Sequence, residues 1–381
     1  MDKIKVLYPY TGYTLGGSYV SSSLIIENLD DDYVKPVVYF PDRNNNIELY
    51  PRIASYVKYY NVKKHDLEVL QSPSNWKKKL LSAKAYMILF VKSILILRFE
   101  KPDIVHVNDD KTMLIWGLAA RLLKLKLIWH VRQRKGNYLS DYIRYKMSSY
   151  IIYITCDCKK TRNRYKIKRP EKVVYNGVDS TAFYPPENKS KIKEELNLPV
   201  DSIVVGFVGN FVDRKRPEWL VEAGIKLLKE GIKVSFFMVG SDYTDGAYED
   251  KLKKQVSYSG FERDFHFTGR RTDIERIMRA LDILTLPSLN EPFGRVVIEA
   301  MASGTTVIAT DGGGVSDIIN NNKNGMLVSS FDEFVIGIRK LILNLDFRDR
   351  LAMNALVDVK KRFSIEKMVA DILDVYDEVM K

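Results

Sequence analysis

Short apolar runs, rich in β-branched and aromatic residues, recur along the chain at intervals filled by helix-length segments of mixed polarity. In the first half they are KIKVLY, PVVYF, DIVHV, LKLIWHV, YIIYIT and KVVYN. The second half repeats the pattern with SIVVGFVG, VSFFMVG, FHFTG, DILTLP, TTVIAT and GMLVS. Near-continuous apolar strands separated by helices predict parallel sheets covered on both faces, hence an α/β fold of two doubly wound, Rossmann-like domains. Between the halves, NGVDSTAFYPPENKSKIKEELNLPVDS (Asn176–Ser202) is rich in Pro, Asn, Ser and charge and has no strand pattern. The expected organisation is therefore a domain over residues 1–180, a linker over 181–202, a second domain over 203–360, and a final helix over 361–381 that packs back towards the first. Sheets of this kind bind ligands outside the carboxyl ends of their strands, so a cleft between the two domains is the expected site.

The longest apolar run, Ala85–Leu97, is interrupted by Lys92 and is shorter than the ~20 residues of a membrane span, so a buried helix is expected there. MDKIKVLYPY has no basic stretch leading into an apolar segment and cleavage site, which points to a cytoplasmic protein. Cys156 and Cys158 are too close for an ordinary disulfide and have no second Cys/His pair nearby for zinc; reduced, structural thiols are expected.

With 46% hydrophobic residues the chain can fill more than one core. Its net charge is +12, unevenly spread: residues 1–180 carry 32 Lys and Arg against 17 Asp and Glu, and residues 181–381 carry 28 against 31. A basic half with 18 of the 23 tyrosines suits peripheral contact with an anionic membrane; a Lys-, Ile-, Asn- and Tyr-rich composition accounts for it equally well. No RRM, KH or zinc-finger pattern accompanies the charge, so nucleic acid is not an expected partner.

Candidate chemistry concentrates in SLNEPFGRVVIEAMASGTTVIATDGGG (Ser288–Gly314). It reads as loop, helix, glycine exit and strand, with Pro292 and Gly294 at the first helical turn, where unpaired N–H groups and the helix dipole can receive a phosphate. Glu291 precedes that turn, and Glu299 lies four residues after Arg295 on the same helix face. Taken alone, these are also an ordinary helix-entry acid and an ordinary i,i+4 ion pair. Gly16 and Gly17 follow the first strand without a GxGxxG pattern, allowing close backbone approach to a ligand but not marking a dinucleotide fingerprint. Of the four histidines, His130 ends a strand at its carboxyl edge and is the functional candidate; His106 and His266, inside apolar strands, read as core residues, and His65 has no evident role. Asp109 and Arg132 are neighbouring loop candidates for acceptor contact. No metal constellation appears, since Asp30–Asp32 reads as a solvated turn.

These residues resemble the retaining, nucleotide-sugar-dependent glycosyltransferases of family four, which have the GT-B fold of two Rossmann-like domains facing across a cleft. The resemblance is carried by VGNFVDRKRPEWLVEA, FFMVGS, FHFTGRRTDI, ALDILTLPS, EPFGRVVIEAMASGTTVIATDGGGVSDII and NGMLV, and by the Glu-x7-Glu spacing with Phe-Gly inside. KPDIVHVND, LKLIWHV and VYNGVDSTAFYP carry it more thinly in the first half. It implies that Glu299 holds the ribose of the donor nucleotide and Glu291 its hexose, with backbone N–H groups of Phe293, Gly294 and Arg295 on sugar and phosphates, and those of Gly16 and Gly17 beside the donor phosphates or the acceptor. It also implies a diphosphate clamp at Lys215, assisted by Arg214 or Arg216. Asn210 stands where the family usually has an arginine. His130 matches the family's active-site histidine and would hydrogen-bond the sugar. The donor would be a UDP-, GDP- or ADP-sugar, the acceptor a glycan or lipid-linked molecule, and neither metal nor other cofactor is expected. The Asn210 departure also leaves room for a catalytically silent nucleotide-sugar-binding protein.

Overall fold

The computed structural model describes residues 3–10, 17–41, 51–60, 76–163, 168–242 and 246–381. They form two compact units: residues 1–176 with the final helix 365–381, and residues 177–364.

The first unit is built on a seven-stranded parallel sheet. Its strands are β1 (Ile4–Pro9), β2 (Val34–Phe40), β3 (Val57–Tyr59), β4 (Ile104–Val107), β5 (Lys126–Val131), β6 (Tyr150–Tyr153) and β7 (Glu171–Val173), in the order β3-β2-β1-β4-β5-β6-β7. Chain order reverses at β1, and β4 and β5 run beside it with His106 opposite Ile128. All six runs read as strands in this half are strands. The one not anticipated, β3, is a three-residue, partly exposed edge strand too short to leave a pattern. The C-terminal helix Ile365–Met380 inserts Ile365, Met368, Val369, Ile372, Val375 and Tyr376 into the core formed by Val6, Tyr8, Ile25, Ile104 and Ile128. That helical spacing makes one apolar face, which is why the helix belongs to this unit although the second unit precedes it in sequence.

The second unit holds β8 (Ile203–Val208), β9 (Val234–Val239), β10 (Phe265–Gly269), β11 (Ile283–Leu286), β12 (Thr306–Thr310) and β13 (Met326–Val328), all parallel, in the order β10-β9-β8-β11-β12-β13. The segment expected as a linker is instead part of this unit. Its helix Lys189–Glu195 packs against Ile274–Ala280, and Lys189 and Lys193 reach Asp282 at 3.1 and 2.8 Å. Asp282 also accepts the Val204 N–H, so the helix is anchored to the start of β8 and the chain before β11.

One further expectation changes. The apolar run Ala85–Leu97 lies in the helix Trp76–Glu100, but only Ala85, Leu89, Ser93 and Leu97 are buried; Met87, Val91, Leu95 and Phe99 form an exposed stripe, Phe99 at 79%. Periodicity could not separate a fully buried helix from one with two apolar faces. No described helix is long and apolar enough to cross a membrane. Cys156 and Cys158 are both free, one exposed and one buried.

Candidate active site

In the second unit, three loops at the carboxyl ends of strands are stitched together by backbone. The Leu289 N–H, after β11, donates to the Arg214 carbonyl, after β8, at 2.8 Å. The Gly314 N–H, after β12, donates to the Glu291 carbonyl at 2.8 Å, and Thr310 Oγ1 donates to the Ser288 carbonyl. Gly313 passes so close that a Cβ there would lie 2.2 Å from the Glu291 carbonyl oxygen, with φ at +71°; no side chain fits at that crossing.

This framework brings Glu291 to the one-turn helix Asp213–Lys215. Its Oε2 accepts from Lys215 Nζ at 2.8 Å and from Arg214 Nη1 at 3.0 Å. Burial pushes the Glu291 carboxyl up, but Lys215 and Arg214 outweigh it and hold the group below the ordinary carboxylate range. Arg216 is excluded from this cluster. Its left-handed backbone (φ 51°) begins the helix Pro217–Lys229 and turns its guanidinium over the Trp219 ring, 4.6 Å from the centroid. Asn210, half-buried just past β8, carries no charge to add.

Gly294, with φ at +90°, starts the eight-residue helix Arg295–Ala302. Phe293 is buried with its ring edge-on to Phe363, so its side chain belongs to the packing and not to the site. Arg295 pairs with Glu299 at 2.8 Å one turn on, and Glu299 is buried. The ordinary i,i+4 pair is therefore present, on the helix whose amino end adjoins Glu291.

The first unit places its candidates differently. Gly16 lies outside the described residues; Gly17 opens the helix Gly17–Glu27, its carbonyl taken by Ser21 Oγ. Asp109, a candidate for acceptor contact, caps the helix Asp110–Leu122, its Oδ1 accepting from the Lys111 and Thr112 N–H groups. Burial raises its carboxyl pKa and those hydrogen bonds oppose the rise. Arg132, the other such candidate, is buried; it donates from Nε and Nη2 to Asn108 Oδ1 and from Nη1 to Asn176 Oδ1. Both side chains are committed to their own unit by ordinary physics: a helix start rewards a capping carboxylate, and a buried guanidinium needs acceptors. His130, near the end of β5, is 1% exposed, and burial together with Arg132 and His106 holds its pKa well below the usual histidine value. His106, read as a core residue, lies 3.2 Å from His130 (Nε2 to Nδ1) and 2.8 Å from the Tyr376 hydroxyl (Nδ1). The available signal was that DIVHV and LIWHV each carry a histidine before the last valine of consecutive strands; nothing pointed to Tyr376.

Residues 188–357 match the family model described as glycosyl transferases group 1, a stretch that contains Lys215, Glu291 and Glu299. Across 281 residues the chain is 30% identical to the lipopolysaccharide core biosynthesis mannosyltransferase LpcC of Rhizobium leguminosarum bv. viciae, covering 72% of this chain and 78% of that one. The chain belongs to the group 1 glycosyltransferases.

Another relative of this glycosyltransferase, 26% identical over 309 residues (75% of this chain, 78% of that one), is the Escherichia coli UDP-Gal:alpha-D-GlcNAc-diphosphoundecaprenol alpha-1,3-galactosyltransferase. The fold of this chain matches that of Anabaena Alr3699/HepE, crystallised with UDP-glucose, with a TM-score of 0.78 at 20% identity, covering 99% of this chain and 100% of that one. Two parallel-sheet Rossmann-like units and these likenesses make the glycosyltransferase a GT-B protein.

Proposed function

We propose that this glycosyltransferase moves a hexose, with retention at the anomeric carbon, from a nucleoside-diphosphate sugar to a glycan or lipid-linked acceptor in the synthesis of a bacterial cell-surface polysaccharide. The observation that carries the reading is the convergence of Lys215 and Arg214 on Glu291 beside the amino end of the helix Arg295–Ala302. A diphosphate competes for the same two cations and for the helix N–H groups, and its arrival frees the Glu291 carboxylate for hexose hydroxyls. Glu299, one turn deeper, takes the ribose. His130 gives a hydrogen bond to a substrate oxygen. As the bond from the anomeric carbon to the phosphate oxygen breaks, its electron pair stays with the leaving diphosphate, the acceptor oxygen bonds the carbon on the same face, and the acceptor proton passes to a diphosphate oxygen. Lys215 and Arg214 stabilise the charge that develops, the work a metal does elsewhere, so activity persists in a chelator. The names of the relatives support the acceptor class, and the UDP-glucose complex of HepE supports the donor class.

The test is a thermal-shift series with UDP-, GDP- and ADP-sugars. A ligand at 100 times its dissociation constant stabilises the native state by ~2.7 kcal/mol. One nucleotide class shifts the wild type, and Glu299→Ala loses that shift without unfolding; a shift surviving unchanged in Glu299→Ala overturns the site assignment.

Contact with an anionic membrane is the second part of the proposal. The helices Trp76–Glu100, Asp110–Leu122 and Tyr138–Met147 pack in succession and expose Val91, Leu95, Phe99, Leu118, Leu122 and Ile143. Arg98, Lys111, Arg121 and Lys146 are exposed among them, and none of the exposed residues described on these helices is Asp or Glu. Apolar side chains ringed by cations alone suit a bilayer interface of negative charge. Co-sedimentation with phosphatidylglycerol vesicles but not phosphatidylcholine vesicles, lost on Leu95→Ser with Phe99→Ser, is the expected result; equal sedimentation with both overturns it.

A further inference from the structure

A chain of four hydrogen-bonding side chains runs from the C-terminal helix to His130, all within the first unit. The Tyr8 and Tyr376 hydroxyls are hydrogen-bonded to each other, Tyr376 Oη lies 2.8 Å from His106 Nδ1, and His106 Nε2 lies 3.2 Å from His130 Nδ1. Arg132 Nη2 stands 3.3 Å from the same His130 Nδ1. Among the described residues, the buried His130 Nε2 meets no hydrogen-bond partner. All four side chains of the chain are at most 1% exposed, so no bulk water sets their proton positions.

We infer that Tyr376 and His106 are positioning residues that lock His130 as the Nε2–H tautomer, a fixed hydrogen-bond donor to a substrate oxygen. The direction follows from one group that cannot accept. A guanidinium has donors only, so the His130 Nδ1 facing Arg132 must present its lone pair, and the single proton of the neutral ring sits on Nε2. The second group at that lone pair, His106 Nε2, must then also donate. His106 therefore carries its proton on Nε2 and accepts at Nδ1, from the Tyr376 O–H. The Tyr376 oxygen in turn accepts from the Tyr8 O–H. Every group but the last is satisfied in this one orientation, and reversing any link sets two donors or two lone pairs against each other. Burial and the Arg132 charge keep both rings neutral, His106 with a pKa pushed down to about 3. The consequence for chemistry is that His130 has no lone pair turned towards substrate: it donates to an oxygen, and does not take a proton from the acceptor. A buried, unpartnered N–H is costly unless a ligand atom meets it, which makes Nε2–H a specificity contact for an oxygen at that point.

The inference rests on the reading of His130 as a substrate contact, and the measurement that tests the lock does not. The protein labelled with 15N-histidine has only four histidine spin systems, and long-range 1H–15N correlation reports the tautomer of each. His106 and His130 are both expected as neutral Nε2–H tautomers from pH 8 down to pH 5. An Nδ1–H tautomer or an imidazolium at His130 overturns the lock. Tyr376→Phe removes the O–H that meets the His106 Nδ1 lone pair and leaves Arg132, at the far end of the chain, as the one remaining bias; His106 is expected to become a tautomer mixture, and turnover to fall about tenfold with KM little changed, the loss of about one buried hydrogen bond. Tyr8→Phe leaves both tautomers and turnover near wild type. Unchanged His106 and His130 signals in a folded Tyr376→Phe protein refute the role of Tyr376. Adding the nucleotide sugar that gives a thermal shift is expected to move the His130 Nε2–H signal and not that of His106. A correct tautomer pattern that no nucleotide sugar perturbs leaves the lock standing and removes the substrate role of His130.

Discussion

The two clusters of polar side chains solve the same problem, holding polar groups in place near the carboxyl ends of strands, by opposite means. Around Glu291 the groups are charged, lie at loops, and neutralise one another: one carboxylate against Lys215 and the half-exposed Arg214. Around His130 the groups are neutral, nearly inaccessible, and ordered by proton direction, with Arg132 the only charge in contact among the described residues. The difference teaches that the first cluster can be remade when an anion arrives, because cations exchange one acceptor for another at little cost near water. The second cannot rearrange without breaking a buried hydrogen bond, and so serves as fixed geometry.

That contrast can be broken most severely at Lys215. Lys215→Ala leaves Glu291 one cation short and removes the charge facing the leaving diphosphate; turnover is expected to fall by about 10²–10³, some 3–4 kcal/mol of barrier, with the melting temperature almost unchanged. Steady-state kinetics beside a thermal melt check this, and a loss of stability as large as the loss of rate would make Lys215 structural.

Next in size, Gly313→Ala attacks the framework and not the charges. The added methyl meets the Glu291 carbonyl, and the residue must hold φ at +71°, so a destabilisation of ~1–3 kcal/mol is expected together with weaker nucleotide-sugar binding, read by denaturant unfolding and thermal shift.

The two clusters also separate on the pH axis. His106 has a folded pKa far below its unfolded one, so the unfolded chain binds the extra proton: its contribution is full above about pH 6.5 and is lost as pH falls towards the folded value, on the order of 1 kcal/mol by pH 5.5. The groups facing it, His130, Tyr376, Tyr8 and Arg132, supply no carboxylate to rescue the cation. His106→Asn is expected to make the stability profile shallower between pH 6.5 and 5.5, with the slope that remains coming from His130, whose pKa burial also holds down. Glu291, with its folded pKa lowered, contributes fully above its unfolded value of about 4.3 and loses that contribution only below it. Glu291→Gln is therefore expected to change the profile only in that more acid window, the smallest effect of the four. A profile altered by Glu291→Gln near pH 6 would mean that the two clusters are not independent.

The fold was legible because strand identity depends on local composition: twelve apolar runs became twelve strands. Asn176–Ser202 misled because helix Lys189–Glu195 is only seven residues long and is held by lysines on Asp282, almost ninety residues away. Asp109 looked like a ligand contact because a polar residue after a strand reads the same whether it caps the next helix or faces a substrate. Lys215 and Glu291 were legible as separate candidates, but their meeting was not.

By itself, then, the sequence determined the two doubly wound sheets, the strand–loop–helix that carries Glu291 and Glu299, and the basic loop that carries Lys215, because each depends on periodicity and spacing within about thirty residues. Only the tertiary structure decided which cations reach Glu291, since the left-handed turn at Arg216 and its stack on Trp219 divert one of three. It alone decided that His106 is a partner of His130 and that Tyr376, 270 residues from His106, is its other hydrogen-bond partner. The physical reason is one of range: secondary structure responds to neighbours in the chain, whereas a buried hydrogen-bond direction responds to whatever the packed core brings within 3 Å.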